Sequence, residues 1–238
     1  MTQLPPDFTL LQITPELDTG GVEQTTIDVC RAVVRVGGRC LVASWGGRME
    51  PLLEAAGGEL VRLPVNSKNP LAWNANAMVL TALCRREKVS LIHVRSRAPA
   101  FAALRVGRAL NIPVVSTYHG IYGSTSALKR WYNGVMTRAD RVIANSAFTR
   151  DHLIAEHRVA TADEDDVAVD HAVTTREFVG ADVGGDHQGA KVGVAHLSRA
   201  WGTGGRGRPS CFAKNVSSIW CATEAAFGPC NPCSRKTT

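Results

Sequence analysis

The feature that most constrains this chain is a strict alternation of two kinds of segment over its first 158 residues. Short apolar runs rich in β-branched residues recur at 8–14, 39–44, 59–64, 90–95, 113–119 and 141–146. Several of them, "FTLLQIT", "SLIHVR" and "PVVSTYH", are nearly continuous in hydrophobicity, as strands buried on both faces must be. Longer helical stretches lie between and after them, at 21–36, 48–56, 71–87, 98–110, 124–138 and 147–157. Such alternation predicts an α/β fold, a parallel sheet with helices on both faces. Right-handed crossovers make that sheet doubly wound and Rossmann-like, and its ligands belong at the carboxyl ends of the strands.

The residues just beyond each strand therefore matter most. Residues 11–24 read "LQITPELDTGGVEQ". Gly20 and Gly21 let backbone amides approach a phosphate at a helix N-terminus without a Cβ in the way, although a plain turn needing positive φ explains them equally. Glu23 sits in the first turn of the following helix. The pattern is not GxGxxG, which argues against a nicotinamide enzyme. Strand four runs out into Arg95, Ser96 and Arg97, whose guanidinium forks suit phosphate, carboxylate or an acidic neighbour. Strand five runs out at His119, with Gly120 allowing a sharp turn. A histidine there can meet a sugar hydroxyl or phosphate oxygen, act near neutral pH, or simply bond a loop carbonyl. Strand six ends in Asn145 and Ser146, and Ser146 is a natural N-cap.

The 124–138 stretch carries Leu128, Trp131, Tyr132, Val135 and Met136 at helical spacing, with Lys129, Arg130 and Arg138 beside them. A helix covering a sheet needs that stripe, and core packing is the expectation. The alternative is a basic amphipathic surface lying on an anionic bilayer, with Lys129, Arg130 and Trp131 as its contacts.

The last 80 residues differ in kind. Between 159 and 238 there is a single leucine, Leu197, and a single isoleucine, Ile219. Glycine-rich "GTGGRG" and acidic "DEDD" replace the periodic pattern. So little recurring apolar surface does not offset the entropy of ordering, and 159–238 is expected to be irregular and poorly ordered. The net charge of +6 resides in the first part, which suits phosphate-bearing ligands or an anionic surface. No basic, aromatic-interleaved face extends beyond 128–132, so no nucleic acid partner is expected. Cys30, Cys40 and Cys84 read as buried small hydrophobes. Cys230 and Cys233 have metal or redox spacing but no tight second pair, and no metal site is expected. No apolar run reaches the roughly 18–20 residues of a membrane span. "MTQLPPDF" lacks a signal's basic and apolar regions, so the expected location is cytoplasmic.

Taken together, "LQITPELDTGGVEQ", "LIHVRSRAP", "VVSTYHGIYG" and "ADRVIANSAFTRDHL", in this order and spacing, closely resemble the N-terminal domain of family 4 (group 1) glycosyltransferases over about residues 8–158. The resemblance implies the GT-B architecture: two Rossmann-like domains facing a cleft, retaining chemistry, a nucleotide-sugar donor, and no metal or other cofactor. Gly20 and Gly21 would lie against the donor diphosphate and the acceptor, and Glu23 matches the acidic position after them. His119 matches the histidine that ends strand five near the reacting sugar, the candidate catalytic residue. Arg95, Gly120 and Ser146, within the same motifs, complete the candidate substrate contacts.

The resemblance stops near residue 158. "VAVDHAVTTREF" (167–178) and "RAWG" (199–202) only faintly echo the family's crossover into its donor-binding domain, and no Glu-x7-Glu is present after them. The expectation is a truncated or frame-shifted reading, divided into a glycosyltransferase-like domain at 1–158 and an irregular tail at 159–238. It would supply the acceptor-side half of an enzyme of cell-envelope glycan or lipopolysaccharide synthesis, inactive alone. Its partners would be a nucleotide sugar, a glycan or lipid-linked acceptor, and peripherally the anionic inner membrane. Two alternatives stay open: a catalytically idle binding module, and a nucleotide-sugar epimerase-like Rossmann protein.

Overall fold

Each of the six predicted strands forms, and each forms because a short β-branched run meets two helical layers. The computed structural model describes residues 4, 5, 7–123, 126–157 and 195–198. Strands β1 (Thr9–Ile13), β2 (Arg39–Ser44), β3 (Glu59–Arg62), β4 (Leu91–Val94), β5 (Val114–Tyr118) and β6 (Arg141–Ala144) pair in parallel. A seventh, β7 (Ala195–Ser198), adds antiparallel to β6, and the sheet order is β3-β2-β1-β4-β5-β6-β7. The chain thus winds outward from β1 to β3, returns past β1 to β4, and winds outward again. That reversal between β1 and β4 is the topological switch point of a doubly wound sheet.

Side-chain alternation along the strands feeds two cores. Leu10, Val42 and Leu91 face one side, where Ile27, Cys30 and Val33 of α1 (Gly21–Arg35) and Leu53 of α2 (Glu50–Ala55) cover them. Leu11, Ile13, Ile92 and Val94 face the other, against Leu80 and Leu83 of α3 (Pro70–Arg86) and Ala103 and Val106 of α4 (Arg97–Leu110). Pro70 opens α3 and the Asn69 side chain accepts from the Leu71 amide, so that helix starts where its sequence says it should. Asn111, at φ 55°, closes α4 in the left-handed conformation that asparagine tolerates. Cys30, Cys40 and Cys84 are buried free thiols, in keeping with their apolar surroundings in the sequence.

One expectation needs correction. The helix expected over 124–138 is broken: α5 covers only Ala127–Asn133, ends at Gly134, and a 3-10 turn comes next at Met136–Arg138. Its apolar stripe splits accordingly. Val135 and Met136 enter the core, whereas Leu128 is 74% and Trp131 47% exposed. The tail was expected to be mostly irregular. Residues 195–198 form a strand on the sheet edge. The rest of 159–238, with Cys230 and Cys233, lies outside the described residues.

Candidate functional site

The carboxyl ends of β1, β4 and β5 lie side by side, so the loops that leave them form one rim. The first loop, 14–20, is anchored chiefly by main-chain bonds, with Asp18 accepting from the Arg48 amide and Glu16 from Asn66 at its exposed edge. Leu17 N–H donates to Gly46 O at 2.9 Å, Trp45 N–H to Pro15 O at 3.0 Å, and Met49 N–H to Leu17 O at 2.7 Å. Gly20 occupies the N-cap of α1 at φ 153°, a conformation that disfavours any side chain, and a Cβ there would stand 2.6 Å from Glu23 Oε2. Gly21 is different. A Cβ on it would meet nothing within 4 Å, so the space over the start of α1 is open. No side chain caps α1, nor does the Ser96 hydroxyl cap α4. Both helices point their N-termini at the switch point. By contrast, Ser126 caps α5, and Ser146 accepts from Thr149 N–H at the start of α6 (Ala147–His157). Ser146 therefore does the capping work that its sequence position suggested, alongside its candidacy as a substrate contact.

Beneath the rim runs a polar seam that the strand-by-strand reading did not assemble. Gln12 of β1 and His93 of β4 are direct register partners. Gln12 is fully buried, and its Nε2 donates to Thr26 O at 2.8 Å and to Cys40 Sγ at 3.4 Å. Its Oε1 accepts from Arg95 Nε at 3.1 Å and Nη2 at 3.0 Å, while Arg95 Nη1 donates to Thr25 Oγ1 at 3.0 Å. Arg95, 5% exposed, is thus turned inward and pins the first turns of α1 to the sheet. His93 Nε2 lies 2.7 Å from Thr117 Oγ1 on β5. A signal for this seam was present: a polar residue at an inward position within three apolar runs, Gln12, His93 and Thr117. Only strand order makes those positions neighbours.

His119 comes just after β5 on the same face. Burial, reinforced by the Arg95 cation, pushes its pKa down to about 3, so the imidazole is neutral at any physiological pH. His93 is likewise held well below the ordinary histidine value, by burial first and then by Arg95 and His119. His119 Nε2 is buried with no hydrogen-bond partner among the described residues. A buried polar nitrogen left without a partner carries a desolvation cost of about 1–3 kcal/mol, which a ligand hydroxyl would relieve. The His119 carbonyl accepts from Asn145 Nδ2 at 3.0 Å, and the Asn145 amide donates to Tyr118 O at 3.1 Å, which fixes the end of β5. Gly120 has open space where a Cβ would stand.

Arg97 leaves the same turn as Arg95 in the opposite sense. Its guanidinium lies 3.6 Å over the Tyr122 ring and donates to Asn133 Oδ1 at 2.6 Å. Lys129, Arg130 and Trp131 are exposed on α5, away from the seam. Among the described residues, no three His, Cys, Asp or Glu side chains gather as metal ligands, and no helix is long and apolar enough to cross a membrane.

A doubly wound sheet with open helix N-termini at its switch point, and a neutral histidine just beyond the neighbouring strand β5, defines a Rossmann-like domain. The comparisons with known proteins make the class specific. The family model described as Glycosyltransferase Family 4 matches residues 19–165. The chain belongs to glycosyltransferase family 4. A glycosyltransferase of Rickettsia africae ESF-5 is 31% identical in sequence, with a TM-score of 0.59 over 69% of this chain and 43% of that one. Anabaena HepE in complex with UDP-glucose shares the fold at 19% identity and TM-score 0.51, over 62% of this chain and 40% of that one. Sucrose-phosphate synthase of Thermosynechococcus elongatus does so at 13% identity and TM-score 0.50, over 62% of this chain and 45% of that one. The chain thus spans less than half the length of these solved relatives. No curated protein matches it by sequence.

Proposed function

We propose that this domain forms the acceptor-side wall of a glycosyltransferase cleft, where a sugar passes from a nucleotide-sugar donor to a glycan or lipid-linked acceptor of the cell envelope. The observation that carries this reading is His119: neutral, half-buried, and with its buried Nε2 unpartnered among the described residues, on the rim that the open start of α1 shares. A neutral imidazole can hold a sugar hydroxyl but cannot serve as an acid at neutral pH. We therefore assign it orientation of the reacting sugar, by a hydrogen bond from or to a hydroxyl. The backbone amides around Gly20 and Gly21, at the positive end of the α1 dipole, supply anion stabilisation where the diphosphate charge develops. That provision leaves no step that calls for a metal or another cofactor. We assign Glu23, in the first turn, and Gly120, with its open flank, to substrate contact as well; Arg95 acts from below as a positioning residue for α1 and His119. The binding of UDP-glucose by the structurally similar HepE accords with a nucleotide-sugar donor.

The donor grip is proposed to lie in a second domain, as expected for a match covering 43% of the Rickettsia relative. The 238 residues alone then bind nucleotide sugar weakly and transfer nothing. We place the protein in the cytoplasm, in peripheral contact with the anionic inner membrane through the exposed Lys129, Arg130 and Trp131. Transfer from UDP-, GDP- and ADP-sugars is the test, in this chain and in a chimera carrying a donor-binding domain after residue 158. The chimera is expected to transfer, and His119→Ala in it to lower the rate by about a hundredfold without unfolding. Robust transfer by the unmodified chain, or an unaffected His119→Ala chimera, overturns the reading.

A further inference from the structure

At the carboxyl end of β2, beside the β1 loop, residues 45–49 carry two side chains that the fold does not cover. Trp45 is 57% exposed and has no ring or cation contact among the described residues. Trp73, by contrast, stacks 4.0 Å from Phe101 and donates from its indole nitrogen to Ser67 O at 2.9 Å. Arg48 is exposed as well, and its Nη2 donates to the Thr19 hydroxyl, 3.4 Å away, on the residue before Gly20. No ion pair among the described residues includes Arg48. The carboxylates around it are engaged elsewhere: Asp18 accepts from the Arg48 amide, Glu16 from Asn66, and Glu50 from the Gly47 amide and from Arg62.

Both side chains stand on a fixed base. Trp45 N–H donates to Pro15 O, Leu17 N–H to Gly46 O and Met49 N–H to Leu17 O, so main-chain bonds already hold this loop against the β1 loop. An exposed indole leaves apolar surface in water, and a guanidinium gains less from a neutral hydroxyl than from an anion. A flat apolar face and an unpaired cation three residues apart match one chemistry. A sugar ring lays its C–H face on the indole, and the guanidinium fork holds a carboxylate or phosphate on that sugar. We propose that the β2–α2 loop is an acceptor subsite for an anionic hexopyranoside, its ring stacked on Trp45 and its acidic group held by Arg48. The bond from Arg48 to Thr19 ties this subsite to the start of α1. The proposal rests on the transferase reading above and narrows its acceptor to one that presents an acidic sugar.

Binding is measured on the 238-residue chain by ligand-observed NMR. Methyl glucuronide and a glucose phosphate are the anionic sugars, methyl glucoside the neutral one, and acetate and inorganic phosphate the bare anions. One anionic sugar is expected to bind at least about fivefold more tightly than methyl glucoside and than its own bare anion, and the tighter of the two identifies the acidic group. Arg48→Gln should weaken that sugar about tenfold and remove the preference over methyl glucoside, while Arg48→Lys keeps part of it. Trp45→Ala should weaken charged and neutral sugars alike, by about fivefold, and Trp45→Phe by less. All four variants should unfold at the parent's urea midpoint, because both side chains are exposed. The subsite is overturned if no sugar binds, if methyl glucoside or the bare anion binds as tightly, or if either residue is immaterial to affinity. It is overturned too if UDP loses as much affinity in Arg48→Gln and Trp45→Ala as the sugar does, which would give the pair to the donor. In the chimera with a donor-binding domain, Arg48→Gln should raise KM for an anionic acceptor and leave kcat unchanged. A chimera that transfers nothing while the chain still binds the anionic sugar through Trp45 and Arg48 overturns the transferase reading and not the subsite.

Discussion

The loop after β1 and the segment after β5 border the same rim, yet they are held in opposite ways. Residues 14–20 are stitched to the end of β2 and the β2–α2 loop chiefly by main-chain bonds: Thr14 to Ala43, Leu17 to Gly46, Trp45 to Pro15 and Met49 to Leu17. Beyond β5 the binding is by side chains. Tyr118 Oη donates to Asn133 O at 2.9 Å, Asn133 Nδ2 reaches Gly123 O at 3.3 Å, and Arg97 clamps Tyr122 and Asn133. A loop fixed by backbone is indifferent to most side-chain changes and vulnerable to any that the backbone forbids. A segment fixed by side chains is the reverse. The backbone-held wall carries Gly20 and Gly21, and the side-chain wall carries the exposed α5.

The sharpest way to break this contrast is at Gly47. It has φ 155°, and a Cβ would stand 2.5 Å from the Leu17 carbonyl carbon and oxygen, which cannot rotate away. Gly47→Ala should destabilise the domain by about 3 kcal/mol or more, read by urea denaturation, because strain and a backbone clash combine. A loss under about 1 kcal/mol would show that the β1 loop is not backbone-locked.

Next in size is Asn133→Ala, on the side-chain wall. Asn133 is 1% exposed and joins Arg97 to the Tyr122 and Gly123 carbonyls. Its removal should cost about 2 kcal/mol and loosen 119–133, seen as faster amide exchange there with the β1 loop unchanged. Equal loosening of both loops would dissolve the distinction.

A third effect comes from the seam that joins the walls. His119 titrates near 3 in the fold against 6.5 for an ordinary histidine, and His93 is also lowered. Between those values the unfolded chain binds protons that the folded chain refuses. Stability contributed by neutral His119 is complete above about 6.5 and falls as pH drops toward 3, by up to about 1.4 kcal/mol per pH unit, and lowered His93 acts in the same direction. Melting temperatures measured across this window should decline with acid, and His119→Gln should flatten the slope. An unchanged slope would place the acid sensitivity elsewhere.

The smallest effect on stability belongs to Gly21, the counterpart of Gly47 on the same rigid wall. With open space at its Cβ and no positive φ, Gly21→Val should shift stability by no more than about 0.5 kcal/mol. In the transfer-competent chimera it should nonetheless abolish most activity, because the valine fills the space proposed for the diphosphate. Retained activity would reduce Gly21 to an ordinary helix start.

Much of this molecule was legible in its sequence, for reasons that are local. The period of hydrophobicity, the glycines and the capping residues act within a few positions of themselves, so six strands, most of their helices and the residues at the carboxyl ends of β1, β4 and β5 could be read directly. The resemblance to glycosyltransferase family 4 rested on those same ends. The helix over 124–138 misled because its stripe satisfied the helical period whether or not the core received all of it. Gly134 and the burial of Val135 and Met136 decided that only half did.

Tertiary structure alone decided which distant residues share a face. Arg95 and Gln12 stand 83 positions apart and meet because β4 returns to lie beside β1. Nothing local distinguishes Arg95 from Arg97, two residues on. One turns inward to a buried amide and the other outward to Tyr122, because the pleat and the start of α4 aim them differently. The histidine's depressed pKa and its unpartnered nitrogen share the same cause. Burial and charge proximity are properties of strand order and helix placement, and a periodic pattern specifies each element without specifying its neighbours.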